Sequence, residues 1–226
     1  MVIMTYNVQA GLGIDGIRDI SRAGWLVVEL GADIAGLQEV EIGNPRSHLV
    51  NQPARLAACS GMHVGFAHGF QRATWRFGNC LLSRWPIMRC DRVALPGTKE
   101  PRSALVAEVD MDGLTLNVIC THLGLNRDER VGQCKVLREV IDRLDGPTVV
   151  LGDFNDFPGT PPLQMLLETQ GLDDLTTPEP TFMAPNPTAK IDFIFGLHVR
   201  AKGPSRVVSS VFSDHLPLIV EAVAAE

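Results

Sequence analysis

Short apolar runs, each stopped by a carboxylate, an amide or an imidazole, constrain this chain more than any other feature. Asn7 follows Val-Ile-Met-Thr-Tyr, Glu39 follows Ile-Ala-Gly-Leu-Gln, and His122 follows Leu-Asn-Val-Ile-Cys-Thr. Asp153 and Asn155 follow Val-Val-Leu-Gly, Asp192 sits inside Lys-Ile-Asp-Phe-Ile-Phe, and Asp214-His215 precede Leu-Pro-Leu-Ile-Val. Runs of this length read as buried strands. A carboxylate at the end of a buried strand is unfavourable unless a cation or a partner neutralises it. The pattern predicts a metal-dependent site built on strand ends.

The strands expected on this basis are residues 2–5, 33–38, 79–83, 104–109, 114–120, 148–151, 192–195 and 216–220, each rich in Val, Ile and Leu and bounded by polar residues, Gly or Pro. Asp112-Gly113 between two of them is a hairpin signal. Helical periodicity places Ile17, Ile20, Val27 and Leu30 on one face of 17–30, and Val131, Cys134, Val140, Ile141 and Leu144 on one face of 128–144. Pro161-Pro162 before Leu163, Leu166 and Leu167 reads as the start of a short helix. Loops are expected at 43–51, 70–78, 97–102 and 176–190. Strands and helices do not alternate strictly, which favours an α/β sandwich of two packed mixed sheets over a doubly wound parallel sheet.

The 226 residues suit a single domain, 1–226, with one core. Twenty Lys plus Arg against 26 Asp plus Glu give no sign in the bulk composition of a long nucleic-acid footprint, which usually needs a basic face to release counterions. Cys59, Cys80, Cys90, Cys120 and Cys134 are odd in number and lack Cys-x-x-Cys spacing, which argues against a disulfide framework or zinc ribbon and for small core residues in a reducing compartment. No apolar run approaches the ~20 residues of a membrane helix. The start lacks a basic segment before a long apolar stretch, so no secretory signal is expected and a cytoplasmic location is.

Each candidate residue has a functional and a bland reading. If the first two strands lie side by side, Asn7 and Glu39 meet at one rim, where a hard cation such as Mg²⁺ would find oxygen ligands; either alone would be a turn or capping residue. Asp153 would orient a water, and Asn155 would donate to a phosphoryl oxygen, though Gly-Asp-x-Asn is also ordinary turn chemistry. Neighbouring side chains on an extended segment diverge, so Asp192 rather than Asp214 is the expected partner of His215. His122 is either a satisfied core histidine or a donor to developing charge. Arg102 is either a phosphate contact or a loop cation.

Taken together and in order, Thr-Tyr-Asn-Val, Leu-Gln-Glu-Val, Thr-His-Leu, Gly-Asp-Phe-Asn, Ile-Asp-Phe-Ile and Ser-Asp-His resemble the endonuclease/exonuclease/phosphatase superfamily over nearly the whole chain. Gly-Asn-Cys-Leu-Leu-Ser-Arg, containing Asn79, resembles its middle strand. The resemblance implies a four-layer α/β sandwich, two packed mixed sheets flanked by helices, and Mg²⁺- or Mn²⁺-dependent phosphoester hydrolysis. It implies metal ligation by Glu39 and Asn7 with Asp214 near the metal or water, His215 oriented by Asp192, Asp153 and Asn155 at the water and phosphate, and His122 at the transition state. His122 is similar to the sphingomyelinase, deoxyribonuclease and small bacterial hydrolase branches rather than the apurinic-site nucleases. Lys190 stands where many relatives have Arg. Trp75, with Phe70 and Arg76, is the expected substrate-facing group, alongside Arg102 and Asn79.

The expected substrate is a phosphodiester, whether a small molecule, a lipid headgroup or nucleic acid, with no protein partner evident. A nuclease is the first alternative. A non-catalytic binding module of the same fold is the second, and it would predict decay of at least one site position.

Overall fold

The computed structural model describes residues 1–224 and bears out the four-layer α/β sandwich. In chain order the strands are β1 (Val2–Asn7), β2 (Ile34–Ile42), β3 (His63–Arg72), β4 (Trp75–Ser83), β5 (Ile87–Leu95), β6 (Arg102–Met111), β7 (Leu114–His122), β8 (Thr148–Asp153), β9 (Leu172–Asp174), β10 (Asp192–Leu197), β11 (Val199–Ala201), β12 (Arg206–Val207) and β13 (Leu218–Ala224). The helices are α1 (Ser21–Glu29), α2 (Gln52–Ser60), α3 (Arg127–Ile141) and α4 (Pro161–Leu167).

One sheet has the order β11-β13-β1-β2-β4-β3, with β12 also on β13, and the other β5-β6-β7-β8-β10-β9. Each sheet is antiparallel apart from one central parallel pair, β1 with β2 and β7 with β8. These central strands are apolar on both faces because both faces are covered. Ile3, Ile34, Leu81, Val118, Cys120, Val149 and Leu151 point between the sheets. Their neighbours along the chain point outward: Met4, Ala35, Leu37 and Leu82 against α1 and α2, Ile119 and Val150 against α3 and α4.

At Gly36 of β2 the facing sheet leaves no room for a side chain. A Cβ there would overlap Leu151 Cδ1 and lie 3.0 Å from Cys120 Sγ. At the end of the sandwich away from the C-termini of β1, β2, β7 and β8, Asp112 and Gly113 turn β6 into β7 with φ of 56° and 96°, the left-handed pair that a tight hairpin needs.

Several expectations need correction. The segment 70–78 is no loop but the tip of the β3–β4 hairpin, with Phe70 in register with Phe77. Strand β2 does not stop at Gln38; it bulges and continues to Ile42. α1 begins at Ser21, leaving Ile17 outside the helix and 55% exposed. Helix α2 and strands β3, β5, β9, β11 and β12 had no sequence signal. β3 and β5 are edge strands with mixed polarity, β9, β11 and β12 have two or three residues, and α2 buries only Leu56 among its large apolar side chains. Cys90 is exposed rather than a core residue, and all five cysteines are free.

Adding a methyl group where two sheets already touch forces side chains off their preferred rotamers. Gly36→Ala is expected to lower stability by about 1–3 kcal/mol, read as a lower urea midpoint. Gly203→Ala, with open space around it, is expected to leave the midpoint nearly unchanged.

Candidate active site

The C-terminal ends of both parallel pairs open at one rim, bringing Asn7, Glu39, His122 and Asp153 together. Asn7 and Asp153 are the last residues of β1 and β8, and His122 is the last of β7, in register with Asp153. Glu39 arrives through the β2 bulge. Gln38 and Glu39 together face the single residue Asn79 on β4, and Glu39 has a φ of 60°. A bulge re-aims a side chain in this way.

Asn7 joins the two sheets. Its buried Nδ2 donates to Glu39 Oε1 at 3.1 Å and to Asp153 Oδ2 at 3.0 Å, while its Oδ1 accepts from the Gln9 amide at 3.1 Å. Asp153 Oδ2 is also 3.4 Å from His122 Nε2 and 3.5 Å from His215 Nε2. One carboxylate oxygen therefore faces three nitrogens from three separate segments, two of them strand ends.

Asp192 opens β10 directly across from Asp153. Its Oδ2 is 2.9 Å from His215 Nδ1 and also accepts from Thr181 Oγ1. The Phe182 ring lies beside the imidazole, centroids 4.7 Å apart. Asp214 turns away from His215, accepting from Gln9 Nε2 at 3.0 Å and Ser213 Oγ at 3.2 Å. Asn155, at φ 50°, donates one of its two side-chain amide hydrogens to the Leu123 carbonyl at 2.9 Å.

Burial sets the charges. It pushes the Asp153 carboxyl above the ordinary carboxylate range, and Asp192 adds to the rise. Burial also raises Glu39; the Asn7 hydrogen bond opposes this and nearby Asp214 reinforces it. Burial alone would lower His215, but Asp192, Asp153 and Asp214 outweigh it and hold the imidazole at about 10. His122 goes well below its usual value through burial and the charges of Arg102 and His215.

The donor set fits a hard divalent cation. Glu39 has a carboxylate that burial holds unfavourably charged, with Asp214 nearby and only a neutral amide hydrogen-bonded to it. A cation beside these oxygens would relieve that penalty. Asp153, Asp192 and His215 form a tighter group, with ligand atoms within 4.8 Å of one another. Both imidazole nitrogens there already face carboxylates, so this group reads as a proton-holding relay rather than an ion cradle.

The expected substrate contacts divide between two adjoining recesses. Asn79, Arg102 and His122 line a narrow slot with Phe77 and Ser103. Asn79 Oδ1, Arg102 Nε and His122 Nδ1 are buried there without a partner. Asn79 donates to the Ser103 carbonyl at 2.7 Å, and Arg102 pairs with Glu100 at 3.1 Å. Trp75 lies in the next recess, about 220 Å³, with Phe70, Phe77, Arg46 and Glu100. Phe70 meets it edge-on at 4.8 Å, and Arg46 lies 6.0 Å from both the Trp75 and Phe77 rings.

The sequence reading missed Thr181, Gln9, Phe77 and Arg46. None stands at the end of an apolar run, and each reaches the site only through tertiary folding. Lys190, two residues before β10, is buried and bonded to Thr176 Oγ1 at 2.8 Å and Asp174 at 3.2 Å.

A profile of the Endonuclease/Exonuclease/phosphatase family matches residues 4–215. The chain is 34% identical over 250 residues to YbhP of Escherichia coli K12, described as uncharacterized, covering 97% of this chain and 94% of that protein. Its fold is similar to an endonuclease/exonuclease/phosphatase structure from Beutenbergia cavernae, with a TM-score of 0.82, 25% identity, and coverage of 100% of this chain and 72% of that one. It is also similar to the mannosyl-6-phosphatase Bt3783 of Bacteroides thetaiotaomicron, with a TM-score of 0.77, 16% identity and 99% coverage of both chains.

A histidine raised in the native state stabilises the fold fully below its unfolded value, and that contribution is lost as pH rises through the folded value. For His215 the loss spans the unfolded value near 6.5 to the folded value of about 10. With EDTA present, the urea midpoint is expected to fall between about pH 7 and about pH 9.5. Asp192→Asn, which removes the largest partner of His215, should flatten that slope.

Proposed function

The chain belongs to the Endonuclease/Exonuclease/phosphatase family, a family of phosphoester hydrolases, and on that footing we propose that it is a Mg²⁺- or Mn²⁺-dependent phosphodiesterase acting by in-line attack of water. The observation that carries this reading is the convergence of Asn7, His122 and His215 on the single Asp153 oxygen beside Glu39.

Glu39 would hold the ion, with Asp214 and Asn7 as further oxygen donors. The bound ion supplies Lewis-acid stabilisation of the charge that grows on the phosphoryl and leaving oxygens. Asp153 carries a raised carboxyl suited to accepting a proton from water near neutral pH. His215, kept protonated by Asp192, donates from Nε2 toward a phosphoryl oxygen. His122 is neutral, because an imidazole pushed far below its usual value carries no charge at pH 7, and it offers a hydrogen bond without adding a second cation. Asn155 serves through its backbone turn and its hold on Leu123. Arg102 takes an outer phosphoryl oxygen, and Asn79, held on the Ser103 carbonyl, lines the slot beside it.

The Trp75 recess takes the group esterified to the phosphate. Aromatic rings under a guanidinium, with Glu100 as acceptor, suit a flat or hydroxyl-rich moiety. Nothing in this recess requires a duplex, and the net charge of -6 gives little attraction for a polyanion. That favours a small or headgroup phosphodiester over nucleic acid. A protein of this fold is a mannosyl-6-phosphatase, so phosphomonoesters belong in the test. Five free thiols support a reducing, cytoplasmic location; among the described residues no helix is long and apolar enough to cross a membrane.

Purified protein is expected to hydrolyse bis-p-nitrophenyl phosphate faster than p-nitrophenyl phosphate with Mg²⁺ or Mn²⁺, and neither with EDTA. Glu39→Gln and His215→Ala should each lower turnover by about 10²-fold or more while circular dichroism stays native. Near-normal turnover in both variants would overturn these residue roles, and absence of metal-dependent turnover in the wild-type protein would favour the binding module. Trp75→Ala should raise KM for the aromatic diester several-fold, by about 1 kcal/mol of lost ring contact, with kcat little changed; an unchanged KM would remove Trp75 from the substrate recess.

A further inference from the structure

The first two turns of α3 grip three loops of the active-site rim through side chains that none of the preceding chemistry uses. Arg130, 9% exposed, donates from Nε to Asp156 Oδ2 at 2.8 Å and from Nη1 to the carbonyls of Leu125 at 2.8 Å and Gly124 at 3.2 Å. Gln133, fully buried, accepts from the Gly124 amide at 2.8 Å and donates to the Pro96 carbonyl at 2.8 Å. Glu129 takes the amide and hydroxyl of Thr98 at 2.8 and 3.0 Å.

Those partners belong to three separate segments. Gly124 and Leu125 follow His122, Asp156 follows Asn155, and Pro96 and Thr98 lead into Arg102. The first two segments are also laced to each other. The Leu123 amide donates to the Asp153 carbonyl at 2.9 Å, and the Asn155 side chain donates to the Leu123 carbonyl at 2.9 Å. Leu123 is thus held from one side by Asn155, and the residues just after it from the other side by Arg130 and Gln133. A buried guanidinium with a carboxylate partner and two carbonyls is a directional fork, which a lysine point charge does not reproduce.

The geometry points to Arg130 and Gln133 as positioning residues, a polar clamp that fixes His122 and Asn155 against Asp153 and sets the entry of Arg102 into its strand. Misplacing a reacting group by about 1 Å can lower turnover by about 10²-fold. The clamp is distinct from the metal ligands and from the relay of His215, and its activity readout rests on the proposed hydrolase chemistry.

The test uses Arg130→Lys, Arg130→Ala and Asp156→Asn, with Arg138→Ala on the same helix as the control, since its partner Glu168 is a surface residue at the end of α4. In metal-free protein, the clamp predicts shifted side-chain amide signals of Asn155 and imidazole nitrogen signals of His122 in the three variants and unshifted signals in the control. In the metal-loaded enzyme it predicts kcat lower by about 10- to 100-fold with KM changed less than about threefold, and partial recovery of Arg130→Ala by millimolar guanidinium. Unmoved His122 and Asn155 signals alongside a lower urea midpoint would overturn the clamp and leave Arg130 a plain stability residue. If wild-type protein hydrolyses no ester, the hydrolase reading fails while the resonance comparison still decides the clamp. Should Arg130→Ala not fold, Arg130→Lys and Asp156→Asn carry the same comparison.

Discussion

The rest of the structure depends on two parallel strand pairs lying back to back with their C-terminal ends at the same rim. Without the close approach at Gly36, β1 and β8 would stand too far apart for one asparagine amide to reach carboxylates in both sheets. That contact orders four candidate residues at once, because Asn7, His122 and Asp153 are fixed by strand register and Glu39 by the β2 bulge rather than by a free loop. Antiparallel strands on either side of each pair supply the remaining pieces. β10 presents Asp192 in register with Asp153, and β4 presents Asn79 opposite the β2 bulge.

Electrostatically, the rim gathers an excess of buried negative charge and assigns each group a different remedy. Asp192 is matched by an imidazole and a hydroxyl, Asp153 by an amide and two histidines, and Asp214 by neutral donors. Glu39 alone is left with one amide and a burial penalty. Asp153 and Glu39 are the two of these carboxylates that burial pushes upward, each opposed by the Asn7 amide between them.

Much of this was legible in the chain because the central strands are covered on both faces. A strand buried twice must be apolar throughout, so its end stands out where a polar residue interrupts the run, as at Asn7 and Asp153. The Asp192 partnership with His215 followed from the divergence of adjacent side chains on an extended segment. Edge strands carry no such signature. β5, exposed along most of its length, and β3, polar at both ends, carry no strand signal. Glu39 seemed to close its strand because a bulge is invisible in composition. Thr181, Gln9 and Arg130 meet their partners across 11, 205 and 26 residues, and sequence spacing alone does not specify contacts of that kind.

The β6–β7 hairpin at Asp112-Gly113 lies at the opposite end of the sandwich from every residue of the rim. A fluorophore or surface tether introduced there would leave the catalytic mouth turned toward solution. The same two strands end at Arg102 and His122, so tension applied at that turn would run directly along the backbone into the site. This protein thus offers a natural handle for single-molecule pulling, with one end of the force path on an inert turn and the other on the chemistry.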